Sequence, residues 1–246
     1  ETTSADAIEP QATEPVQHNA ESTLVYTETP VMTLPQTACQ VNRSGIRREV
    51  FRSGWDILVI EVLRDDLLHF EYARSRLPSL NQPLVTSPMV FKNDYPGAEC
   101  FIYDGEANLV TQSLWVEVDE KTLCVQVTDL TKSPILLLAT TCPKKELVGG
   151  RYSLAVDSPG FNDLFGLGEQ FTLEGSKSLD WEGKKRSPGN EFGNAMQSFA
   201  DGWVGNAQMP IFFALNPRGD NFALFVDSPA ALEWNFFRSP WKIELK

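Results

Sequence analysis

The sequence predicts an all-β protein built as a large antiparallel β-sandwich. Short runs of β-branched and aromatic residues recur from Gly45 onwards, and Gly, Pro, Asn and Asp separate them. The sequence lacks long amphipathic helical patterns, which argues against alternating β and α units. With 42% hydrophobic and 11% aromatic residues, a chain of 246 residues can bury a substantial core.

Alternating side chains mark the individual strands. The first strands are predicted at 48–51, 56–63 and 67–73. The clearest hairpin spans 114–127, where Asp119-Glu120-Lys121 forms a loop between two alternating runs. Further strands are predicted at 152–156, 210–215, 221–226, 231–236 and 241–245.

The beginning of the chain differs in composition from the rest. Residues 1–31 are rich in Thr, Glu, Gln, Ala and Pro, with few large apolar side chains. We therefore expect 1–31 to be an acidic leader, either mobile or extended over the surface, and 32–246 to form the sandwich.

The net charge of -12 is unevenly distributed. Residues 1–41 contain six Asp or Glu and neither Lys nor Arg, so half of the acidic excess lies there. An acidic chain without a basic stripe is not expected to have nucleic acid or an anionic membrane as its main partner. The sequence contains no run of about 18 consecutive apolar residues, so no transmembrane helix is predicted.

The four cysteines, Cys39, Cys100, Cys124 and Cys142, are far apart and form no Cys-x-x-Cys pair. This spacing argues against a structural zinc site. One or two disulfides are possible, but the alternation around Cys124 predicts a buried strand residue there. The start at Glu1, without a signal-peptide pattern, is consistent with an exported and processed chain.

A long connection at about 166–209 separates two predicted strand regions. It is rich in Gly, Ser, Asn and Trp, and connections of this length are usually functional or disordered. Its large aromatic residues favour order over disorder; they are Trp181, Phe192, Phe199 and Trp203.

Most familiar catalytic patterns are missing from the sequence. The two histidines are His18, in the leader, and His69, which we interpret as a packed or surface strand residue. A Ser-His-Asp or Cys-His apparatus is therefore not expected. There is neither a phosphate-binding loop nor a His-Glu-x-x-His zinc motif, and we expect no metal or cofactor.

Carboxylates stand next to tryptophans in the long connection, at Asp180-Trp181 and at Asp201-Gly202-Trp203. A carboxylate can accept hydrogen bonds from two sugar hydroxyls, while an indole covers the apolar face of the ring. The same pairs also fit a turn anchored by a packed ring. We retain sugar contact and a structural turn as alternatives.

Several motifs, in order along the chain, resemble the N-terminal domains of glycoside hydrolase family 31 (GH31). Phe165-Gly166-Leu167-Gly168-Glu169 is similar to the signature of these domains. Asp180-Trp181, Phe199-Ala200-Asp201, Met209-Pro210-Ile211-Phe212-Phe213 and Phe222-Ala223-Leu224-Phe225-Val226 then resemble the family's loop and the two strands after it.

This resemblance implies a galactose-mutarotase-like sandwich within an α-glucosidase, α-xylosidase or α-transglucosylase. The retaining mechanism uses two carboxylic acids on a following (β/α)₈ barrel of about 250 residues, for which this chain has no room. The implied partners are that barrel and an α-linked oligosaccharide or glucan. Asp201 resembles the loop aspartate that binds sugar near the cleavage point, with Trp203, Asp180 and Trp181 as its neighbours.

Two other functions are compatible with the same residues. A stand-alone carbohydrate-binding sandwich could use the same Asp and Trp residues without catalysis. A purely structural sandwich used for protein contacts is the third interpretation.

Overall fold

The structure is a computed structural model. It describes residues 45–74, 94–103, 105, 107–145, 152–168, 185–186, 196–199, 202–205, 209–227 and 232–245. The chain divides into two units, Glu1–Gln36 and Thr37–Lys246, and every described residue belongs to the second. The predicted leader at 1–31 lies outside the described residues.

Within the described ranges the secondary structure is entirely β, and no helix is long and apolar enough to cross a membrane. The strands are β1 (Arg47–Ser53), β2 (Asp56–Arg64), β3 (Leu67–Arg74), β4 (Ile102–Tyr103), β5 (Asn108–Val110), β6 (Leu114–Asp119), β7 (Cys124–Asp129), β8 (Leu136–Lys145), β9 (Tyr152–Asp157), β10 (Asp163–Gly166), β11 (Lys185–Arg186), β12 (Met196–Phe199), β13 (Gly202–Gly205), β14 (Ile211–Leu215), β15 (Asn221–Phe225), β16 (Leu232–Asn235) and β17 (Trp241–Leu245).

A nine-stranded sheet forms the larger layer of the sandwich, in the order β11-β16-β17-β9-β8-β7-β6-β5-β4. Two three-stranded sheets, β1-β2-β3 and β10-β14-β15, supply the side chains that pack against it. β12 and β13 form a separate two-stranded sheet. The pairings are antiparallel, so the predicted all-β antiparallel sandwich is confirmed.

The first core lies between β1-β2-β3 and the β5–β7 part of the large sheet. Alternate residues of β2, namely Leu58 and Ile60, point into it and are fully buried. They share this core with Val116 of β6 and Val125 of β7, which are also fully buried. Ile57 and Val59, on the opposite face of β2, are buried too, so membership of this core rather than burial alone marks the inward face.

The second core lies between β10-β14-β15 and the β8, β9, β16 and β17 part of the large sheet. Its centre is Phe212 of β14, whose side chain is fully buried. The Phe212 ring meets four others edge-on at centroid distances between 5.4 and 6.3 Å, those of Phe222, Trp234, Phe236 and Trp241. Such edge-to-face packing brings the positive edge of one ring to the negative face of another.

The predicted strands are present, and the hairpin at 114–127 is confirmed as β6 and β7 with register Val116↔Val127. The ten-residue strand β8 was not predicted. It contains Pro143, a residue that central strands usually exclude because it cannot donate to a neighbouring strand. The pairing of β8 with β7 ends at Thr141, and Pro143 pairs with Leu154 of β9.

The prediction for Cys124 was wrong in one respect. Cys124 does lie in a strand, but it is half-buried and forms a cross-strand disulfide with Cys142 of β8. Val125↔Thr141 is the adjacent pair in the register, so antiparallel alignment brings the two cysteines opposite each other. Cys100 is disulfide-bonded as well. Alternation identified the strand but not the partner, which depends on the order of strands in the sheet.

Candidate substrate-site connection and its anchors

The long connection begins at a sharp bend at the end of β10. Gly166, Leu167 and Gly168 have φ angles of +118°, +61° and +87°. Three successive positive φ angles turn the chain away from the sheet, and glycine adopts them more readily than other residues. Leu167 tolerates its angle while its side chain is buried in the second core. The signature motif therefore encodes a bend.

Gly166 is also required by close packing against β14. A Cβ atom on Gly166 would lie 2.6 Å from the carbonyl oxygen of Ile211 and 3.0 Å from the Cα of Phe212. The Leu167 amide donates a 2.8 Å hydrogen bond to that same Ile211 oxygen. The two ends of the connection are thus held side by side by β10 and β14.

Three short strands, β11, β12 and β13, lie within the connection. β11 pairs with β16 through Lys185↔Asn235 and Arg186↔Trp234, which ties the connection to the edge of the large sheet. β12 and β13 pair with each other, with Phe199 opposite Gly202. In the sequence, Ala200 and Asp201 stand between these paired positions.

The structure describes only part of the predicted site. Trp203 lies in β13, opposite Ser198, and only its backbone is described. Asp180, Trp181 and Asp201 lie outside the described residues. Their role as sugar ligands stays a prediction.

A cleft that the sequence analysis missed lies beside the turn between β16 and β17. It has a volume of about 270 Å³. Phe161 and Phe236 are buried in its lining, whereas Asn162, Phe237 and Arg238 are exposed, with Phe237 59% exposed. An exposed ring beside amide and guanidinium donors can stack on a sugar and donate hydrogen bonds to it. The only sequence signal was the run Phe236-Phe237-Arg238 at the end of a predicted strand.

An ionic cluster occupies the other face of β1-β2-β3. Arg48, Glu61 and His69 are direct cross-strand neighbours. His69 Nδ1 lies 2.9 Å from Glu61 Oε2, and Arg48 Nη1 lies 3.2 Å from Glu61 Oε1. Glu71 Oε2 lies 3.9 Å from Arg48 Nη2, and Glu71 Oε1 lies 3.9 Å from His69 Nε2. The interpretation of His69 as a strand residue is confirmed, in a partly buried position.

The electrostatics of this cluster favour a stabilising role. The hydrogen bond to Glu61 raises the pKa of His69, and the negative charges of Glu71, Glu61 and Asp227 raise it further. The same hydrogen bond lowers the pKa of Glu61, although burial opposes that change. A general acid needs a raised carboxyl pKa, so Glu61 is poorly suited to acid catalysis.

The His69–Glu61 pair predicts a pH-dependent stability. Protonated His69 stabilises the folded state through Glu61. This contribution is complete below pH 6.5, the ordinary pKa of His69, and is lost as the pH rises through its higher folded pKa. Glu61 stabilises above 4.5 and loses its effect as the pH falls. The advantage of the wild type over His69→Gln should be largest between pH 4.5 and 6.5. It should shrink by about 1 kcal/mol or less towards pH 9, as is typical of partly exposed pairs.

Urea unfolding of both proteins across this pH range measures the difference directly. Because the variant shares every other titrating group, subtraction isolates the pair. A difference that stays constant from pH 5.5 to pH 9 would contradict the assignment.

Similar solved structures include a GH31 dextranase from Flavobacterium johnsoniae, in complexes with isomaltotriose and with glucose. In both, the identity is 16% and the TM-score 0.55, covering 85% of this chain and 24% of the dextranase. A xylosidase from Aspergillus niger has 14% identity and a TM-score of 0.49, covering 81% of this chain and 28% of the xylosidase. No protein-family model and no curated protein sequence matches the chain.

The similarity to the dextranase covers most of this chain but about a quarter of the enzyme. It agrees with the layered antiparallel sheets. The chain therefore has the fold of a GH31-like N-terminal β-sandwich domain.

Proposed function

We propose that this chain is the N-terminal domain of a retaining α-glycosidase or α-transglucosylase that acts on α-linked glucosides. Its connection at about 166–209 would shape the substrate site of a catalytic (β/α)₈ barrel in the same enzyme. The barrel would supply the nucleophile and the acid/base. The sandwich would bind and orient sugar, and no cofactor would be needed, because two carboxylic acids suffice for acetal cleavage.

One observation carries this proposal: paired strands hold the two ends of the connection next to each other. β10 and β14, the strands on either side of it, are hydrogen-bonded neighbours, and Leu167 is bonded to Ile211 at the bend. A binding segment loses less conformational entropy on ligand binding when rigid strands hold its ends. The β12–β13 hairpin lies within it, and its two central positions in the sequence are Ala200 and Asp201.

The direct test is to express the complete protein that contains this chain and assay it on α-glucosides and α-xylosides. We expect release of sugar from isomaltotriose or an aryl α-glucoside, with retained anomeric configuration in the first product detected by NMR. Inverted product would refute the retaining mechanism. Absence of both hydrolysis and transfer would refute the catalytic proposal.

Asp201 is the residue that we expect to contact sugar. In the complete enzyme, Asp201→Ala should lower kcat/KM by about tenfold to a hundredfold, because a charge-assisted hydrogen bond contributes about 1.5–3 kcal/mol. A role confined to sugar binding predicts little change in the unfolding midpoint of this variant. Steady-state kinetics on short and long substrates, with thermal unfolding, measure both effects.

Asp66→Ala is a matched control for Asp201→Ala. Asp66 lies in the turn between β2 and β3, and its ion pair with Arg64 is exposed. The Asp66→Ala variant should leave kcat/KM unchanged. Unaltered kinetics of Asp201→Ala on both substrate lengths would refute the role of Asp201.

A second candidate function is carbohydrate binding without catalysis. The cleft beside Phe237 and Arg238 favours it, since an exposed ring and polar donors can hold a single sugar. The activity assay distinguishes the two functions. Saturable glycan binding by a complete protein that lacks hydrolysis and transfer would favour the binding module.

We also propose that the protein is exported. The disulfide between Cys124 and Cys142 and the disulfide-bonded state of Cys100 support this, because such bonds persist in oxidising compartments. Locating a tagged copy of the complete protein in cell fractions tests it.

A further inference from the structure

A large part of one face of the β10-β14-β15 sheet is apolar although it points away from the second core. Phe165, Phe213 and Ala223 are direct cross-strand neighbours on this face. Ile211 and Phe225 form the next pair along the strands. We call these five residues the outer aromatic face. Its three phenylalanines are 37%, 44% and 41% exposed, for Phe165, Phe213 and Phe225 respectively.

Such a face is unusual for an antiparallel sheet that packs on its core with the opposite side. The exposed side of these sheets normally carries polar residues. Contiguous exposed aromatic residues instead indicate a surface that is covered by a partner.

The position of the outer aromatic face indicates which partner covers it. β10 ends where the long connection begins, and β14 begins shortly after the connection ends. The strands that carry Phe165 and Phe213 therefore also hold the base of this segment. A domain whose substrate site receives the connection has to approach these two strands.

The dextranase is long enough to contain such a domain beside the region that matches this chain. This chain corresponds to 24% of that enzyme. A (β/α)₈ barrel alone needs about 250 residues. The five residues of the outer aromatic face are all apolar, and the polar Asp163 and Asn221 lie on the same side at its edge. An apolar centre with a polar rim suits the surface of a neighbouring domain.

We propose that the outer aromatic face is the docking surface for the catalytic domain of the same enzyme. This inference rests on the proposed function, and it adds the face and the residues through which the two domains meet. Docking there would fix the orientation of the connection relative to the catalytic carboxylates. Phe213 lies at the centre of the contact because it has neighbours on both adjacent strands.

The test is site-specific photocrosslinking in the complete protein. Phe213→p-benzoylphenylalanine retains an aromatic side chain at the centre of the face and forms covalent bonds with neighbours under ultraviolet light. Phe237→p-benzoylphenylalanine is the control, because Phe237 is an exposed phenylalanine on a turn outside this face. Mass spectrometry of the digested protein identifies the crosslinked peptides.

We expect the probe at 213 to crosslink to peptides of the catalytic domain, and the probe at 237 not to do so. A thiol at 213, in Phe213→Cys, should react with maleimide at least about tenfold more slowly than one in Phe237→Cys, because a covered thiol reacts only when the interface opens. Equal labelling rates would overturn the inference.

The activity of the unsubstituted protein separates failure of the inference from failure of the proposed function. If the protein cleaves α-glucosides but the probe at 213 crosslinks only within residues 1–246, to a second copy, or not at all, the docking surface is wrong and the function stands. If the protein neither cleaves nor transfers glycosides, the proposed function is wrong. The partner that covers the outer aromatic face is then not a catalytic domain, whatever the crosslinks show.

Discussion

Replacing Phe212 with alanine should lower the free energy of unfolding by about 4 kcal/mol, the middle of the range for large-to-small aromatic substitutions in cores. The Phe212 side chain is fully buried, and its ring contacts the four rings of the second core. Removing it leaves a cavity between β14 and the large sheet. The surrounding rings are rigid and can refill that cavity only in part.

Urea unfolding followed by tryptophan fluorescence suits this test, because Trp234 and Trp241 lie in the same core. Phe237→Ala is the control, since it removes an equal ring from an exposed position and should cost about 0.5 kcal/mol or less. Similar losses for Phe212→Ala and Phe237→Ala would show that Phe212 is not at the centre of the core.

Replacing Gly166 with alanine should lower the free energy of unfolding by about 3 kcal/mol. Two effects combine at this position. The φ of +118° is strongly unfavourable for a residue with a Cβ atom, and that atom would lie 2.6 Å from the Ile211 oxygen. Backbone on both sides must shift to relieve the contact, which weakens the pairing of β10 with β14.

Gly219→Ala separates the two effects. Gly219 also has a positive φ, +81°, in the turn between β14 and β15, but an added Cβ would meet nothing within 4 Å. It should cost about 1 kcal/mol through backbone strain alone. Thermal or urea unfolding of both variants measures the difference. An equal loss at the two glycines would rule out the close contact as the reason for glycine in the signature.

Strand positions followed from the sequence where alternation was strong. In β2, the period of two identified the strand, because successive side chains point to opposite faces. It did not identify the inward residues, since Ile57 and Val59 are buried as well as Leu58 and Ile60. β4, β5 and β11 were missed because they contain only two or three residues, too few to show a period. β8 was missed although it is long, and its Pro143 is tolerated where β7 no longer pairs.

The candidate site was predictable in part. The order of motifs indicated a GH31-like sandwich, and the structural similarity confirms that fold. The motifs did not reveal why the signature is Gly-Leu-Gly, since that depends on the distance between β10 and β14. They did not reveal the cleft at Phe237 either, because its lining comes from segments distant in sequence. That Asp180, Trp181 and Asp201 bind sugar stays a prediction.

By itself, the sequence determined the local states: which segments extend, which residues turn, and where an alternating face is apolar. These depend on neighbouring residues and on backbone sterics. Only the tertiary structure decided that the two small sheets cover different halves of one large sheet, and that Cys124 meets Cys142. The same is true of Phe165 and Phe213 sharing an outward face. The physical reason is that strand order and register arise from contacts between residues far apart in the chain, which no local pattern encodes.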